Sequence, residues 1–169
     1  FAHHLEPDDD RMRQFTALAR SKRADKESQC ARVYWGILAG HFALDDFRRR
    51  RDEGGLNSML NYGYAVLLAR ILQKMIAVGL DPTFGIGHVV RERATPLAYD
   101  LMEPFRVLVD ARALAWADQL WKEAVSEEKV MLEVTPEYKR WILGFLTQEI
   151  PYQKKKITAE NVMEHVLRG

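Results

Sequence analysis

Three side chains in the segment 84–106 could together hold a metal ion. His88 lies in a stretch with two glycines, and Asp100 and Glu103 are three residues apart, just before Pro104. Carboxylates at positions i and i+3 share one face of a helical turn. An imidazole that faced them from the preceding loop would complete a site with mixed nitrogen and oxygen ligands. The segment therefore predicts a divalent-metal site.

The same acidic residues have a purely structural alternative. Asp-x-x-Glu ahead of a helix is similar to a capping box, and a proline such as Pro104 is tolerated in a first helical turn. Glu27 falls in the first turn of another predicted helix, where a negative charge favours the helix dipole. From residue types and spacing alone, helix capping and metal binding both remain open.

The composition indicates one packed domain, or a domain with an appended arm. The chain has 169 residues, 47% of them hydrophobic, and a formal net charge of +1, so overall charge does not indicate a nucleic-acid partner. The single cysteine, Cys30, favours a reducing compartment. The start, FAHHLEPDDD, has no signal-peptide pattern and suggests an excerpt of a longer protein. The longest uncharged run, 56–69, is too short to span a bilayer, so we expect a soluble protein.

The positive charge is clustered in two runs. Residues 48–51 are four consecutive arginines, and residues 154–156 are three consecutive lysines. Such runs are typical of solvated faces and loop ends, but they also suit contacts with phosphates. The sequence leaves both explanations open for each run.

The pattern of apolar residues predicts an all-α fold. Helical spacing indicates helices over about residues 9–22, 25–40, 56–78, 98–121 and 135–149, and a last one from the cap Thr158 to 167. The helix 56–78 is apolar on nearly every face, so we expect it to be the buried centre of a multi-helix lobe.

Two features of this pattern are less regular. Residues 130–135 alone have a weak strand pattern, and residues 151–156 are expected to form a basic connector. Asn57 and Asn61 form a polar edge on the central helix. They could be core groups with hydrogen-bond partners or part of a site.

Four stretches carry motifs of a known protein family. They are residues 27–35, ESQCARVYW; 47–63, FRRRRDEGGLNSMLNYG; 79–88, GLDPTFGIGH; and 96–106, PLAYDLMEPFR, with Asp110 following. They resemble the helix E-x-x-A-A-R-x-Y-[FW], the helix start N-x-x-L-N-Y-G-Y, the loop G-L-x-P-x-x-G-x-x-H and the helix start L-x-x-D-L-[MI]-E-P-F-R of the CRISPR-associated spacer integrases. The resemblance covers about residues 25–112, whereas residues 113–169 share only their helical character.

This resemblance implies a set of catalytic metal ligands. The family's ligands fall on Glu27, His88 and Glu103, and Asp100 is the adjacent acidic position that supports or joins the site. Oxygen ligands with one imidazole suit Mg2+ or Mn2+. The histidine must be neutral to bind, so the resemblance also implies that activity falls at acidic pH.

The resemblance further implies a DNA endonuclease and integrase that inserts spacers by strand transfer from a DNA 3′-hydroxyl. The candidate phosphate contacts are Arg32, Arg48, Arg49, Arg50, Arg51, Arg91, Arg93 and Arg106. Expected partners are double-stranded and branched DNA, a second copy of the chain, and the small ferredoxin-like adaptation protein, in a prokaryotic cytoplasm. A transposon-encoded integrase and a non-catalytic DNA-binding or assembly module are the alternatives.

The resemblance also suggests how the chain is organised. We expect residues 1–24 to be a lead-in helix and linker, and residues 25–169 to be the helical catalytic domain. The β-rich amino-terminal domain of the family, which forms much of its dimer contact, is absent from these 169 residues. Dimer formation by this stretch alone is therefore left open.

Overall fold

The structure, a computed structural model, describes residues 10–22, 24–41, 49–50, 53–83, 95–123 and 130–168. The chain divides into two compact units, residues 1–50 and residues 51–169. In the first unit, helix α1 (Asp10–Arg20) packs against helix α2 (Lys26–His41). Both helices were predicted from the sequence to within one or two residues at each end.

The second unit contains the remaining elements, and the all-α prediction is confirmed for it. Its elements are α3 (Leu56–Ala77), α4 (Pro96–Met102), a 3₁₀ turn (Glu103–Phe105), α5 (Arg106–Glu123), α6 (Pro136–Ile142), a second 3₁₀ turn (Leu143–Phe145), β1 (Glu149–Tyr152), β2 (Lys155–Thr158) and α7 (Ala159–Arg168). Thr135 and Thr158 cap α6 and α7, because their hydroxyls accept hydrogen bonds from the backbone N–H of Tyr138 and Asn161.

Helix α3 is the buried centre of this unit, as its sequence predicts. Leu60, Leu67, Ile71 and Met75 are spaced by seven, four and four residues, so they lie on one face of the helix, and all four are fully buried. Helices α4, α5 and α7 all pack against α3. Ile76 of α3, however, is 69% exposed in the part of the chain that the structure describes. Helix α3 is therefore not buried on every face, although apolar residues occupy nearly all of them.

The carboxyl end of α3 is closed by a Schellman motif. Gly79 has a left-handed φ of 78°, which suits a residue without Cβ. The backbone N–H of Gly79 donates to the carbonyl of Ile76, and the N–H of Leu80 donates to the carbonyl of Met75, at 3.1 and 2.9 Å. These bonds end the helix at the glycine that the sequence predicted.

Helices α5 and α6 are fixed to α3 and to each other by close contacts. A Cβ on Gly63 would overlap Cγ1 of Val109 and lie 3.3 Å from Cγ1 of Ile142, so the glycine allows close approach. The Tyr138 hydroxyl donates to the Met59 carbonyl at 2.8 Å. Together these contacts hold α5 and α6 against the amino-terminal half of α3.

The prediction for residues 98–121 and 135–149 was wrong in detail. The first helix is interrupted by the 3₁₀ turn at 103–105, because Pro104 has no backbone N–H to donate. The second ends at Ile142 and continues only as a 3₁₀ turn to Phe145. Residues 130–135 form no strand.

Residues 149–158, expected to be partly helix and partly a basic connector, form an antiparallel hairpin. Glu149 pairs with Thr158, and Tyr152 pairs with Lys155. The two loop residues, Gln153 and Lys154, both have positive φ, at 44° and 67°. Two central residues with φ above zero are what a type I′ hairpin turn requires. We refer to residues 149–158 as the hairpin.

Two further sequence-based expectations concern polarity. Asn57 is 2% exposed, and both Asn57 and Asn61 have polar or electrostatic partners, as polar groups of a core require. Among the described residues, none of the helices combines the length and apolarity that crossing a bilayer would demand.

Candidate active site and DNA-binding residues

The junction between α4 and α5 carries the predicted acidic residues. Asp100 lies in the last turns of α4 and is half-buried, whereas Glu103 opens the 3₁₀ turn and is exposed. Met102 and Phe105 on either side are buried. These two apolar anchors hold the turn against the core and leave the Glu103 carboxylate at the surface.

Glu103 does not act as a helix cap. Both of its carboxylate oxygens accept hydrogen bonds from one guanidinium nitrogen of Arg106, at 2.8 and 3.0 Å. The residue before the 3₁₀ turn, Met102, and the residue before α4, Thr95, make no side-chain cap. The capping-box explanation of Asp100 and Glu103 is therefore not supported by the geometry.

Arg106 is also held from its other side. Its guanidinium carbon lies 4.5 Å from the centre of the Tyr64 ring, in a cation–π arrangement. The Tyr64 hydroxyl in turn donates a short hydrogen bond to Asp110, one helical turn after Arg106. This network joins α3 to α5 beside Glu103.

The surroundings of Arg106 keep it charged. Burial opposes the charged form, but the hydrogen bond and negative charge of Glu103, with smaller contributions from Tyr64 and Asp110, raise the pKa of Arg106. The side chains of Arg106 and Glu103 remain 39% and 44% exposed. An exposed ion pair contributes only about 0.2–1 kcal/mol, so a cation or a phosphate could replace either partner at small cost.

The other predicted metal ligands cannot be compared with this geometry. His88 and the loop around it lie outside the described residues, as does the side chain of Glu27, although its backbone is part of α2. Within the part of the chain that the structure describes, no three histidine, cysteine or carboxylate side chains come together as a metal site. The set Glu27, His88 and Glu103, with Asp100, stays a prediction. Its chemistry, oxygen ligands with one imidazole, suits Mg2+ or Mn2+.

The predicted DNA-binding arginines are in part described. In the first unit, Arg32 is exposed on α2, and Arg50 is exposed. Arg49 donates to the Arg50 carbonyl at 2.9 Å, and its guanidinium lies 5.8 Å from the Trp35 ring centre. Arg48, Arg51, Arg91 and Arg93 lie outside the described residues.

Sequence reasoning missed two features of the second unit, residues 51–169. Tyr64 was not singled out, although it is the residue that positions Arg106 from α3. The spacing of Arg106 and Asp110, four residues apart on one helix face, was a signal that both could contact one group. The hairpin was also missed, and with it the placement of lysines 154–156.

Comparison with known proteins gives the family context. The model of the family described as CRISPR associated protein Cas1 matches residues 13–140. The CRISPR-associated endonuclease Cas1 of Korarchaeum cryptofilum is 31% identical over 153 residues, which are 86% of this chain and 45% of that protein. A Cas1 endonuclease of Thermus thermophilus is 39% identical over 103 residues, which are 55% of this chain and 33% of that protein.

A solved structure has the same fold. A casposase bound to its integration product superimposes with a TM-score of 0.66 and 28% sequence identity, over 93% of this chain and 52% of that one. The chain thus spans about half the length or less of the relatives that it matches. The acidic segment 100–106 lies inside the stretch that the family model covers.

Proposed function

The chain belongs to the Cas1 family of CRISPR-associated proteins, and from this premise we propose that it is a metal-dependent DNA endonuclease and integrase. Its reaction is the insertion of spacer DNA into a CRISPR array: a DNA 3′-hydroxyl attacks a phosphodiester of the array and forms a new P–O bond, while the P–O bond to the array strand's own 3′-oxygen breaks and that strand leaves with a 3′-hydroxyl. The chain spans only part of its relatives, so this activity is proposed for the protein to which these residues contribute.

The observation that supports this proposal best is the pairing of Glu103 with Arg106 at the surface. A carboxylate suited to a hard divalent cation stands beside a guanidinium suited to a phosphate oxygen. Phosphoryl transfer needs both kinds of group close to the reacting phosphate.

The proposed mechanism assigns each residue a task. Glu27, His88 and Glu103, with Asp100, would hold Mg2+ or Mn2+, which stabilises negative charge on the phosphate during in-line attack. Arg106 binds the phosphate oxygens once its pairing with Glu103 is relaxed. Exposed arginines such as Arg32 and Arg50 contact the DNA backbone and position it without reading sequence. The nucleophile is the DNA 3′-hydroxyl or water, so no side chain forms a covalent intermediate.

The expected partners follow from the same proposal. They are double-stranded and branched DNA, a second copy of the protein, and the small ferredoxin-like adaptation protein, in the prokaryotic cytoplasm. DNA has the most direct support, since the similar casposase structure is described as bound to an integration product.

That likeness also favours a second candidate function. A transposon-encoded integrase would use the same residues to join transposon ends to a target. The two functions differ in substrate: one targets the repeats of a CRISPR array, and the other carries terminal inverted repeats. Both require the same chemistry at the same site.

A joining assay tests the proposal and separates the candidates. A labelled DNA with a free 3′-hydroxyl is incubated with target duplexes that carry either CRISPR repeats or unrelated sequence, in the presence of Mg2+ or Mn2+. Preferential joining at the repeat boundary supports spacer insertion, and joining of inverted-repeat ends to any target supports the transposon function. DNA binding without joining in either metal, by the whole protein to which these residues contribute, would make it a non-catalytic binding or assembly module.

A further inference from the structure

The hairpin presents three adjacent lysines that the proposed active site does not use. Lys154 lies in its loop, Lys155 and Lys156 begin β2, and all three are exposed. Successive residues of a strand point to opposite faces. Lys155, the partner of Tyr152, therefore shares the ribbon face that packs against α7, whereas Lys156, the partner of Pro151, lies on the opposite face.

Acidic groups of the neighbouring helix do not neutralise these lysines. In α7, Glu160 pairs with Arg70 at 2.9 Å, and Glu164 pairs with Arg168 at 2.9 Å and Lys74 at 3.5 Å. Within the described ranges, none of the three hairpin lysines makes a side-chain hydrogen bond or ion pair. The positive charge at the tip is left for an external anion.

The hairpin is fixed to the domain both next to its turn, at Tyr152, and at its base. The Tyr152 ring stacks on His165 of α7, with ring centres 5.7 Å apart and planes at 17°. The backbone N–H of Ala159 donates to the Gln148 carbonyl at 2.8 Å, and that of Glu160 donates to the Leu146 carbonyl at 3.0 Å. The ribbon is thus held in place before any partner binds, which limits the entropy lost on binding.

The turn has a backbone conformation that is unusual for its residues. Gln153 and Lys154 adopt left-handed φ values of 44° and 67° without being glycine, asparagine or aspartate. The steric clash of Cβ in this region makes such residues unfavourable, and Asn-Gly is the usual choice for the turn. A sparsely populated backbone conformation kept with a cationic side chain is the kind of outlier that suggests a function.

We propose that the hairpin enters a groove of duplex DNA and that Lys154, Lys155 and Lys156 bind the phosphates of the two strands that flank it. The major groove of B-DNA is wide enough for a two-stranded β-ribbon. The exposed lysines at the tip and at the start of β2 would lie beside these phosphates. These contacts are with the phosphates of the DNA backbone, so they add affinity without a preference for base sequence.

This inference rests on the proposed function, because it takes duplex DNA as the partner. Its test is the salt dependence of DNA binding by the wild-type chain and by the triple variant Lys154→Ala/Lys155→Ala/Lys156→Ala. Each phosphate contact contributes about 0.9 to the slope of log affinity against log salt. We expect the slope of the triple variant to be smaller by about 2–3. The control Lys122→Ala, at an exposed position in the last turn of α5, should keep the wild-type slope.

Two turn variants separate lost charge from damage to the fold. Lys154→Gly relieves the strained conformation, so we expect the melting temperature to rise by about 2–4 °C while the salt slope falls by about 1. Gln153→Asn should raise the melting temperature as well, but it should leave the slope unchanged. A protein that becomes more stable and binds DNA more weakly has not lost binding through unfolding.

The outcomes distinguish this inference from the proposed function. If the wild-type chain binds duplex DNA and the lysine variants keep its slope, the hairpin is not a DNA contact, and the proposed function still stands. If the whole protein to which these residues contribute binds no duplex DNA even at low salt, DNA as the partner is wrong and both fail. Equal loss of affinity for DNA and for polyglutamate would overturn the groove contact in favour of a general acidic partner.

Discussion

One nitrogen of the Arg106 guanidinium binds both carboxylate oxygens of Glu103, at 2.8 and 3.0 Å. From the sequence, Arg106 was expected to contact phosphate and Glu103 to bind a metal ion. In the structure these two residues form an ion pair with each other. Arg106 neutralises the acidic group as long as no metal ion does. Binding of a metal by Glu103 and binding of a phosphate by Arg106 would both relax this ion pair, so the two events should favour each other.

The variant Arg106→Ala tests this relationship. Without the guanidinium, the Glu103 oxygens are free and no nearby positive charge repels a cation, so we expect Mn2+ to bind several-fold more tightly. DNA binding should weaken, and its salt slope should fall by about 1. Mn2+ binding can be followed by the electron paramagnetic resonance signal of the free ion, and DNA binding by fluorescence anisotropy.

The matched control for this variant is Arg140→Ala. Arg140 pairs with Glu137 at 2.9 Å, also three residues apart in an exposed turn. Removing it should leave Mn2+ affinity unchanged. Unchanged Mn2+ affinity in Arg106→Ala itself would mean that Arg106 does not compete with a metal ion for the Glu103 carboxylate.

The close approach at Gly63 predicts a large effect of a single methyl group. Gly63→Ala places Cβ into Val109, and overpacking of this kind costs about 1–3 kcal/mol, more than the gain of about 1 kcal/mol in helix propensity. We expect a lower midpoint of urea unfolding. Gly36→Ala in α2 is the contrasting variant, because a Cβ there would meet nothing within 4 Å. It should be neutral or stabilising, and the same loss in both variants would contradict the packing argument.

The buried hydroxyl of Tyr138 predicts how stability depends on alkaline pH. Burial, with smaller contributions from Asp110 and Tyr62, raises the pKa of Tyr138. The pKa of Tyr138 is higher in the folded state than in the unfolded state. The stabilisation that its protonated hydroxyl gives the folded state is therefore complete below about pH 10, and it is lost as the pH rises through the folded pKa. Tyr138→Phe should cost about 1 kcal/mol at neutral pH, through the lost bond to the Met59 carbonyl. It should also flatten the fall in stability at alkaline pH, which unfolding curves at several pH values would measure.

The sequence predicted the helical framework because its signals are local. The apolar repeat of α3 and the glycine after it specify a buried helix and its end, and Thr135 and Thr158 specify the starts of α6 and α7. Each of these signals acts within a few residues, so one sequence is enough to recognise it.

The hairpin could not be predicted from such signals. Its turn uses Gln153 and Lys154, which do not mark a turn, and its first strand contains Pro151, which normally argues against a strand. Proline is tolerated here because each strand of a two-stranded sheet is an edge. The stability of the hairpin comes from its packing on α7, which the sequence pattern does not reveal.

The candidate site was predicted in residue types but not in contacts. The three-residue spacing of Glu103 and Arg106 permitted an ion pair, yet only the geometry distinguishes this pair from a capping box. The positions of His88 and of the Glu27 side chain depend on tertiary structure outside the described residues. Their role as ligands is therefore still a prediction.

The measurement that tests the central claim most directly is metal-dependent strand transfer on a branched DNA with a free 3′-hydroxyl. The whole protein to which these residues contribute is compared with its Glu103→Gln and His88→Ala variants, and Glu137→Gln serves as the control because Glu137 has the same type of exposed arginine partner. Products are resolved at single-nucleotide length with Mg2+, with Mn2+ and with a chelator, and Mn2+ affinity is measured in parallel.

We predict joining by the wild-type protein and the control only when metal is present. Glu103→Gln and His88→Ala should lose joining by a factor of about 100 or more, which corresponds to about 2.7 kcal/mol of activation free energy. Both should also bind Mn2+ more weakly, with folding stability changed by no more than about 1 kcal/mol in Glu103→Gln. Joining that persists in both variants, or Mn2+ affinity equal to that of the wild type, would contradict the account.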